Sequence, residues 1–280
     1  RAFLPRLQCR MDNYTDALIL NQAYTLRSRR LVEGILLLPR QVCERLPFEE
    51  LRVAVGLDNV ADENKISTAT YGRYWHGNTF LARYLLFFWD YPTIRLMLYI
   101  LSSLLMLWCG TLLWRRGGWQ PAVAVGMGLL CSYVFMMQFS LQLGMVLFIA
   151  LGGMIGVAKR HKTGIVLFVT GSLTAYFDLL TAPVLTMGLP LLAMLTLDEG
   201  EKLSDTCKSL TFFSMLWAVG YGFTWVAKWV LASLLTSENI WADGFHNVAN
   251  RSSVLDDHGR WDALMANLDL LPWGFIIISL

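Results

Sequence analysis

Long apolar runs separated by short charged clusters are the feature that most constrains this chain. The sequence is 55% hydrophobic and 13% aromatic, with a mean hydropathy of +0.47. A helix that crosses a membrane needs about 20 predominantly apolar residues, and several runs reach or approach that length. Because a backbone inside lipid must satisfy its own hydrogen bonds, the runs predict helices rather than open strands. The sequence therefore predicts an all-α, polytopic helical membrane protein.

The apolar runs divide residues 92–235 into a helical bundle of about five spans and a short helical hairpin around Asp178. The run 163–197 is too long for one crossing, so it predicts two short helices with Asp178 at the turn. Residues 271–280 begin a further span, which predicts that the chain is an internal piece of a larger membrane protein. The predicted segments of the bundle are 94–114, 119–139, 141–158, 163–177, 182–197 and 210–235.

Lysine and arginine collect in alternate short connections, at 114–119, 159–162 and 198–208. Such residues concentrate in cytoplasmic loops, so all three connections are predicted to face the cytoplasm. Residues 1–91 and 236–270 then form extracytoplasmic segments. Within the first of these, the stretch RSRRLVEGILLLPRQVCERLPFEELRVAVG predicts amphipathic helices that lie along the membrane surface.

Two charges fall inside apolar runs. A carboxylate at the bilayer centre costs about 2.5–3.5 kcal/mol, but the loop charges move Asp178 to the outer tip of its hairpin. There it either caps the turn or contributes to an outward-facing site. Lys228 lies roughly 10–12 Å below the outer boundary. It either extends to the interface between Trp225 and Trp229, or pairs with Asp178 or with a ligand phosphate.

The first segment contains a pair of carboxylates in MDNYTDALIL. Asp12 and Asp16 are four residues apart, so on a helix they share a face and can converge on one cation or one reacting group. The alternative is structural, with Asp12 or Thr15 capping the helix that continues through ALILNQAYTL.

Aromatic and basic residues alternate in YGRYWHGNTFLARYLL, just before the first span. Such stretches form interfacial belts, but aromatic faces also stack on sugars and arginines bind phosphates. The candidate substrate-binding residues of this stretch, which join Lys228, are Arg73, Tyr74, Trp75, His76 and Arg83.

The composition limits partners and cofactors. A net charge of +2 is too small to indicate a nucleic-acid partner. Asp256, Asp257 and His258 carry groups that bind divalent metals, but no fixed ligand spacing supports a metal site, so the cofactor is left open. No phosphate-binding loop, dinucleotide fingerprint, zinc-protease motif or hydrolase elbow occurs.

A large outward segment with a carboxylate pair, followed by helices with short inner loops, resembles the GT-C superfamily of integral-membrane glycosyltransferases. That resemblance centres on MDNYTD. It implies Asp12 as catalytic base, Asp16 as second candidate, and a polyprenyl-phosphate sugar as donor. The stretches DNYTDALIL, RYWHGNTFLARYLL and FDLLTAPVLTMGLPLL also resemble uncharacterised multi-span proteins of Gram-positive gut bacteria, which implies a bacterial plasma membrane.

These observations favour a glycosyltransferase that works at the outer face of the membrane, with a lipid-linked sugar donor and membrane lipids as partners. Asp12, Asp16 and Asp178 are its candidate catalytic residues. One alternative is a transporter or flippase for a lipid-linked or anionic solute, with Asp178 and Lys228 as a gating pair. Another is a non-catalytic membrane protein in which each polar residue is structural.

Overall fold

The structure, a computed structural model, consists of helices with one small sheet. It describes residues 13–25, 31–43, 46–57, 66–132, 134–159, 162–177, 182–197, 203–246 and 249. The helices are α1 (Asn13–Thr25), α2 (Leu31–Leu37), α3 (Pro47–Ala54), α4 (Gly77–Leu85), α5 (Tyr91–Gly117), α6 (Trp119–Cys131), α7 (Val134–Gln138), α8 (Leu141–Ala158), α9 (Thr163–Tyr176), α10 (Pro183–Leu197) and α11 (Leu203–Leu235). Strands β1 (Arg40–Val42) and β2 (Ser67–Ala69) pair antiparallel, with Arg40 opposite Ala69. The predicted all-α class is confirmed.

Three helices of the described chain are long and apolar enough to cross a membrane: α5, α8 and α11. Helices α6, α9 and α10 are apolar but shorter. The 14 residues of α9 extend over about 21 Å, less than the roughly 30 Å of a hydrocarbon core. The two short helices predicted for 163–197 correspond to α9 and α10, and Asp178 lies outside the described residues.

The single span predicted for 119–139 is wrong in detail, because the structure divides it into α6 and α7. At the end of α6, the Ser132 hydroxyl donates to the Leu129 carbonyl, a local bond that competes with helix continuation. Beyond the break, the buried Gln138 amide donates to the hydroxyls of Ser102 and Ser103 on α5, each at 2.9 Å. The break therefore lets α7 bring a polar side chain to α5.

The bundle has two distinct ends. At one end, which we call the arginine end, Arg116 at the close of α5 donates to the Ala158 carbonyl at the close of α8. At the other, which we call the capped end, Leu141 at the start of α8 donates to Asp16, and Asn78 donates to the Phe177 carbonyl that follows α9. The ends of α5 and α8 thus share the arginine end, and the described residues between 13 and 90 pack on the capped end.

Helices α9 and α11 run parallel and approach each other closely through small residues. A β-carbon added to Gly171 would overlap the Trp217 carbonyl, and one added to Gly220 would overlap the Phe168 carbonyl. The Ser172 hydroxyl donates to the Gly220 carbonyl across the contact, at 3.2 Å. Small residues at such positions are a usual way for membrane helices to bring their backbones together.

Helix α8 forms the centre of the bundle, between α5, α9 and α10. Leu147, Ala150, Leu151 and Met154 are almost completely buried there, and Leu167 of α9 joins the same core. A Ser140 cap begins the helix, since the Ser140 side chain accepts from the Leu143 amide. Because α8 is covered by protein on most sides, its buried start provides a fixed platform for the segment packed on the capped end.

Helix α1 is a core element of the N-terminal segment. Seven of the eight residues from 16 to 23 are buried, all except Leu18, and they include Asp16, Asn21 and Gln22. The amphipathic helices predicted to follow are α2 and α3, and β1 separates them. The segment is therefore a folded cap built around α1, to which α2 adds the buried residues Leu36 and Leu37.

A second compact unit comprises residues 237–280, of which 237–246 and 249 are described. Residues 240–246 are helical, and the Asn239 side chain accepts from the Ala242 amide at 3.1 Å. The rings of Trp241 and Phe245 stack on each other. The predicted further span at 271–280 lies outside the described residues.

Candidate functional site

A cavity of about 280 Å³ lies at the capped end of the bundle. Its lining combines polar and aromatic side chains from the N-terminal segment with residues at the start of α8 and the end of α9. The lining residues are Tyr14, Thr15, Leu18, Ile19, Gln22, Arg40, Tyr71, His76, Asn78, Gln142 and Phe177. Concave sites with a few convergent polar groups are the usual form of ligand pockets, so this cavity is the candidate site.

Arg40 reaches the cavity because α1 holds strand β1 in place. The Asn21 side chain pairs with the backbone of Gln41 through two 3.0 Å hydrogen bonds, one donated and one accepted, as a neighbouring strand would. The Arg40 guanidinium lies 3.7 Å from the buried Glu50 carboxylate, which also accepts from the Cys43 amide. Arg40 is the charged residue of the cavity lining, so the lining favours an anionic group.

Helix α4 contributes an amide whose bonding is incomplete. Asn78 is 5% exposed, and its Nδ2 donates to the Phe177 carbonyl at 3.0 Å. Its Oδ1 is buried without a donor among the described residues. The neighbouring Thr79 hydroxyl donates to Gln22 at 2.8 Å, which fastens α4 to α1. Since buried polar atoms are nearly always paired, the Asn78 oxygen is an unusual acceptor, and it lies in a residue of the cavity wall.

His76 stands at the start of α4 with a left-handed backbone, at φ 47° and ψ 48°. This region is uncommon for residues other than glycine, and such conformations often occur at functional sites. The ring is partly exposed, but its Nε2 atom is buried. Burial, together with the positive charges of Lys228 and Arg73, lowers the pKa of His76 from 6.5 to about 3. His76 is therefore a neutral imidazole at physiological pH.

Lys228 of α11 is fully buried. Its Nζ donates to the Ile35 carbonyl at 3.2 Å and lies 5.0 Å from the centre of the Trp75 ring. It neither extends to an exposed interface nor pairs with an acid of the described residues. Lys228 does not line the cavity, so its effect there is electrostatic and acts through His76.

The aromatic residues predicted to stack on sugars pack on the protein instead. Tyr74 stacks on Trp225, with ring centres 6.3 Å apart. Trp75 donates from Nε1 to the Thr224 carbonyl at 2.7 Å. The guanidinium of Arg73 lies over the Tyr71 ring at 4.8 Å. Of these aromatic residues, Tyr71 is the one that lines the cavity, although the rings of Tyr74 and His76 also pack against it.

Asp16 is bound into the fold rather than facing the cavity. Its carboxylate accepts from the Tyr91 hydroxyl at 2.7 Å, from the Leu141 amide at 2.9 Å and from the Ser140 hydroxyl at 3.3 Å. It lies at the start of α8, where a negative charge is favourable. Burial raises the pKa of Asp16, while the bonds from Tyr91 and Leu141 oppose that rise. This geometry favours a structural role for Asp16.

The remaining predicted site residues are not brought together by the described structure. Arg83 is exposed on α4 and lines a different cleft of about 300 Å³ with Tyr24. Asp12 and Asp178 lie outside the described residues. Two residues near them in sequence, Tyr14 and Phe177, both line the cavity.

No cluster of three or more potential metal ligands occurs among the residues that the structure describes. The sequence candidates Asp256, Asp257 and His258 fall outside them. The cavity lining is rich in amide, hydroxyl, imidazole and guanidinium groups, which suit hydrogen bonding to a polar ligand.

Among the residues of the cavity lining, the sequence interpretation named only His76 as a site residue. The polar residues that it missed include Gln22, Arg40, Asn78 and Gln142. A signal for Gln22 was present, because Asn21 and Gln22 interrupt the apolar run of α1. The burial of two amides in a helix indicates specific polar partners. Arg40 had no comparable signal, since its place depends on pairing between strands that are distant in sequence.

The chain was also compared with known proteins. No protein-family model, curated protein or solved structure matches it. The resemblance to GT-C glycosyltransferases therefore stays a hypothesis that depends on the residues of MDNYTD and on the order of segments.

Proposed function

We propose that this chain belongs to a membrane glycosyltransferase that takes a sugar from a polyprenyl-phosphate donor at the outer face of the membrane, with the cavity at the capped end as its sugar site. The observation that carries the proposal is the lining of that cavity. It combines an arginine, an incompletely bonded amide, a neutral histidine and a tyrosine ring in a volume of about 280 Å³. Ligand pockets begin at about 300 Å³, so one sugar unit is a suitable occupant.

The lining groups divide the recognition between sugar and phosphate. The amide and hydroxyl groups of the lining can form hydrogen bonds with the hydroxyls of a sugar, and Tyr71 adds an aromatic ring to the cavity wall. The Arg40 guanidinium carries the charge and planar geometry that bind a phosphate. Arg40 replaces Lys228 in this role, because Lys228 is fully buried.

The reaction is a general-base displacement at the anomeric carbon. A carboxylate takes the proton from the acceptor hydroxyl as the new glycosidic bond forms. The bond from the anomeric carbon to the phosphate oxygen breaks, and the polyprenyl phosphate leaves with the electron pair. Arg40 stabilises the charge that develops on this leaving phosphate.

Asp12 and Asp178 are the candidate bases. Their sequence neighbours Tyr14 and Phe177 line the cavity, which supports a search for the base at these two positions. Asp16 is set aside, because three hydrogen bonds engage its carboxylate at the start of α8.

The test is transfer of radiolabelled sugar from a synthetic polyprenyl-phosphate donor by the purified full-length protein. We expect Asp12→Asn or Asp178→Asn to lower the rate by about 10²–10⁴-fold, the usual contribution of a general base. Asp205→Asn is the matched control, since Asp205 is an exposed acid in the first turn of α11. Wild-type rates in both Asp12→Asn and Asp178→Asn would remove these residues from the mechanism. Absence of transfer from any polyprenyl-phosphate sugar would refute the proposed activity.

The transport alternative is less well supported. It requires a water-filled path past Lys228, but the Lys228 side chain is 0% exposed and its nitrogen is engaged by the Ile35 carbonyl. Uptake of a labelled donor into vesicles without sugar transfer would favour the transporter over the glycosyltransferase.

A further inference from the structure

A large groove runs along α5 and α6, away from the capped end. Its volume is about 770 Å³, and nearly all of its lining residues are apolar, including Met106, Val123 and Leu129. Gly110 of α5 and Gly126 of α6 both line it, and a β-carbon added to either would meet no atom within 4 Å. The two glycines therefore leave open space in the groove where larger side chains would fill it.

One charge lines this groove, the guanidinium of Arg115. Arg115 is exposed, and its side chain makes no hydrogen bond or ion pair with another described residue. The adjacent Arg116 is engaged with the Ala158 carbonyl, so the two arginines differ in their contacts. Arg115 is thus a cation at one end of an apolar groove, without an acid to neutralise it in the described lining.

The dimensions of the groove fit one leaflet of a bilayer. Along α5, the lining extends from Ser103 to Arg115, about 18 Å at 1.5 Å per residue. Half of a hydrocarbon core is about 15 Å. The exposed Trp114 and Trp119 flank the arginine end of the groove, and tryptophan is enriched where hydrocarbon meets headgroups.

We propose that this groove binds one anionic phospholipid of the inner leaflet, with an acyl chain between α5 and α6 and the headgroup phosphate at Arg115. A lone cation beside an apolar groove matches the chemistry of such a lipid, which joins a phosphate to a hydrocarbon chain. The cytoplasmic leaflet is the one that carries anionic lipids, and the positive loops assign the arginine end to that side. This inference is independent of the proposed transferase activity.

The test uses native mass spectrometry of the full-length protein after equilibration with equal amounts of phosphatidylglycerol and phosphatidylcholine. We expect the wild type to retain one phosphatidylglycerol in preference to phosphatidylcholine. Arg115→Gln should weaken this retention roughly fivefold, which corresponds to one arginine near an anionic lipid surface. Gly126→Leu should weaken retention of both lipids, because the new side chain occupies part of the groove.

Gly128→Leu is the matched control. Gly128 is also on α6 with open space around it, but it does not line the groove, so this variant should retain lipid as the wild type does. If Gly126→Leu does not fold, Gly110→Leu blocks the groove from α5, and Arg115→Gln alters an exposed residue. Equal retention of both lipids, or retention unaffected by a folded groove-filling variant, would overturn the proposal. Loss of a protein dimer in Gly126→Leu would assign the groove to a second copy of the chain and would also overturn it.

Discussion

The neutral, partly buried His76 gives a measurable dependence of stability on pH. Its pKa is about 3 in the folded protein and 6.5 in the unfolded chain. Above pH 6.5, the residue is neutral in both states. Between pH 6.5 and about 3, the unfolded chain binds a proton that the folded protein does not, so the folded state loses stability as pH falls. From pH 7.5 to pH 5.5, the expected loss is about 1.3 kcal/mol.

The measurement is thermal unfolding of the detergent-solubilised full-length protein, followed by tryptophan fluorescence between pH 7.5 and pH 5.5. The loss corresponds to a fall of roughly 3–5 °C in the unfolding midpoint. His76→Asn removes the titrating group, and asparagine tolerates the left-handed backbone at this position. The difference in midpoint between wild type and His76→Asn should therefore shift by that amount across the range.

Two further variants separate the causes. Lys228→Met removes a charge that lowers the pKa of His76, but burial is the larger cause, so the loss of stability between pH 7.5 and pH 5.5 should persist in this variant. His246→Asn replaces an exposed histidine and should leave the dependence unchanged. The same pH dependence in wild type and His76→Asn would refute the reasoning.

Three other predictions concern the contacts that hold the fold together. Gly220→Ala should lower the free energy of unfolding by about 1–3 kcal/mol, because its β-carbon would overlap the Phe168 carbonyl. Gly222→Ala on the same helix meets open space and is the control, so equal unfolding midpoints in the two variants would contradict this packing. Asp16→Ala should lower the free energy of chemical unfolding by about 1–3 kcal/mol, since it leaves buried donors unpaired. Asp16→Asn should lower it less, and equal losses in the two variants would argue against the capping role. Trp75→Phe keeps an aromatic ring but loses the hydrogen bond from Nε1 to the α11 backbone. It should lower the free energy of unfolding by about 1 kcal/mol, and an unchanged unfolding midpoint would exclude a contribution from that bond.

The sequence was informative wherever apolar length or charge bias decides the structure. The run 163–197 indicated two short helices, and α9 and α10 are those helices. Charge bias also grouped the loops after α5 and α8, and these two helices end side by side, with Arg116 bound to the Ala158 carbonyl. These features depend on residues that are close in sequence and on the lipid surroundings that the apolar composition predicts.

The sequence was less informative where a distant partner decides the role of a residue. Asp16 looked like half of a reactive carboxylate pair, but its partners Tyr91 and Ser140 are 75 and 124 residues away. Residues 119–139 looked like one span, but the bonds of Gln138 to α5 favour a break. The local sequence does not predict such pairings, because they form only after the helices pack.

The contact between Lys228 and the Ile35 carbonyl has a consequence for the order of events during synthesis. These partners are separated by 193 residues, and Trp75 is separated from its acceptor Thr224 by 149. At about 5–20 residues per second, α2 leaves the ribosome roughly 10–40 s before Lys228 does. The N-terminal cap is thus synthesised before α11, but its packing is complete only after α11 has been synthesised. During that interval, the surface of the cap that contacts α11 is open to chaperones or to a neighbouring chain.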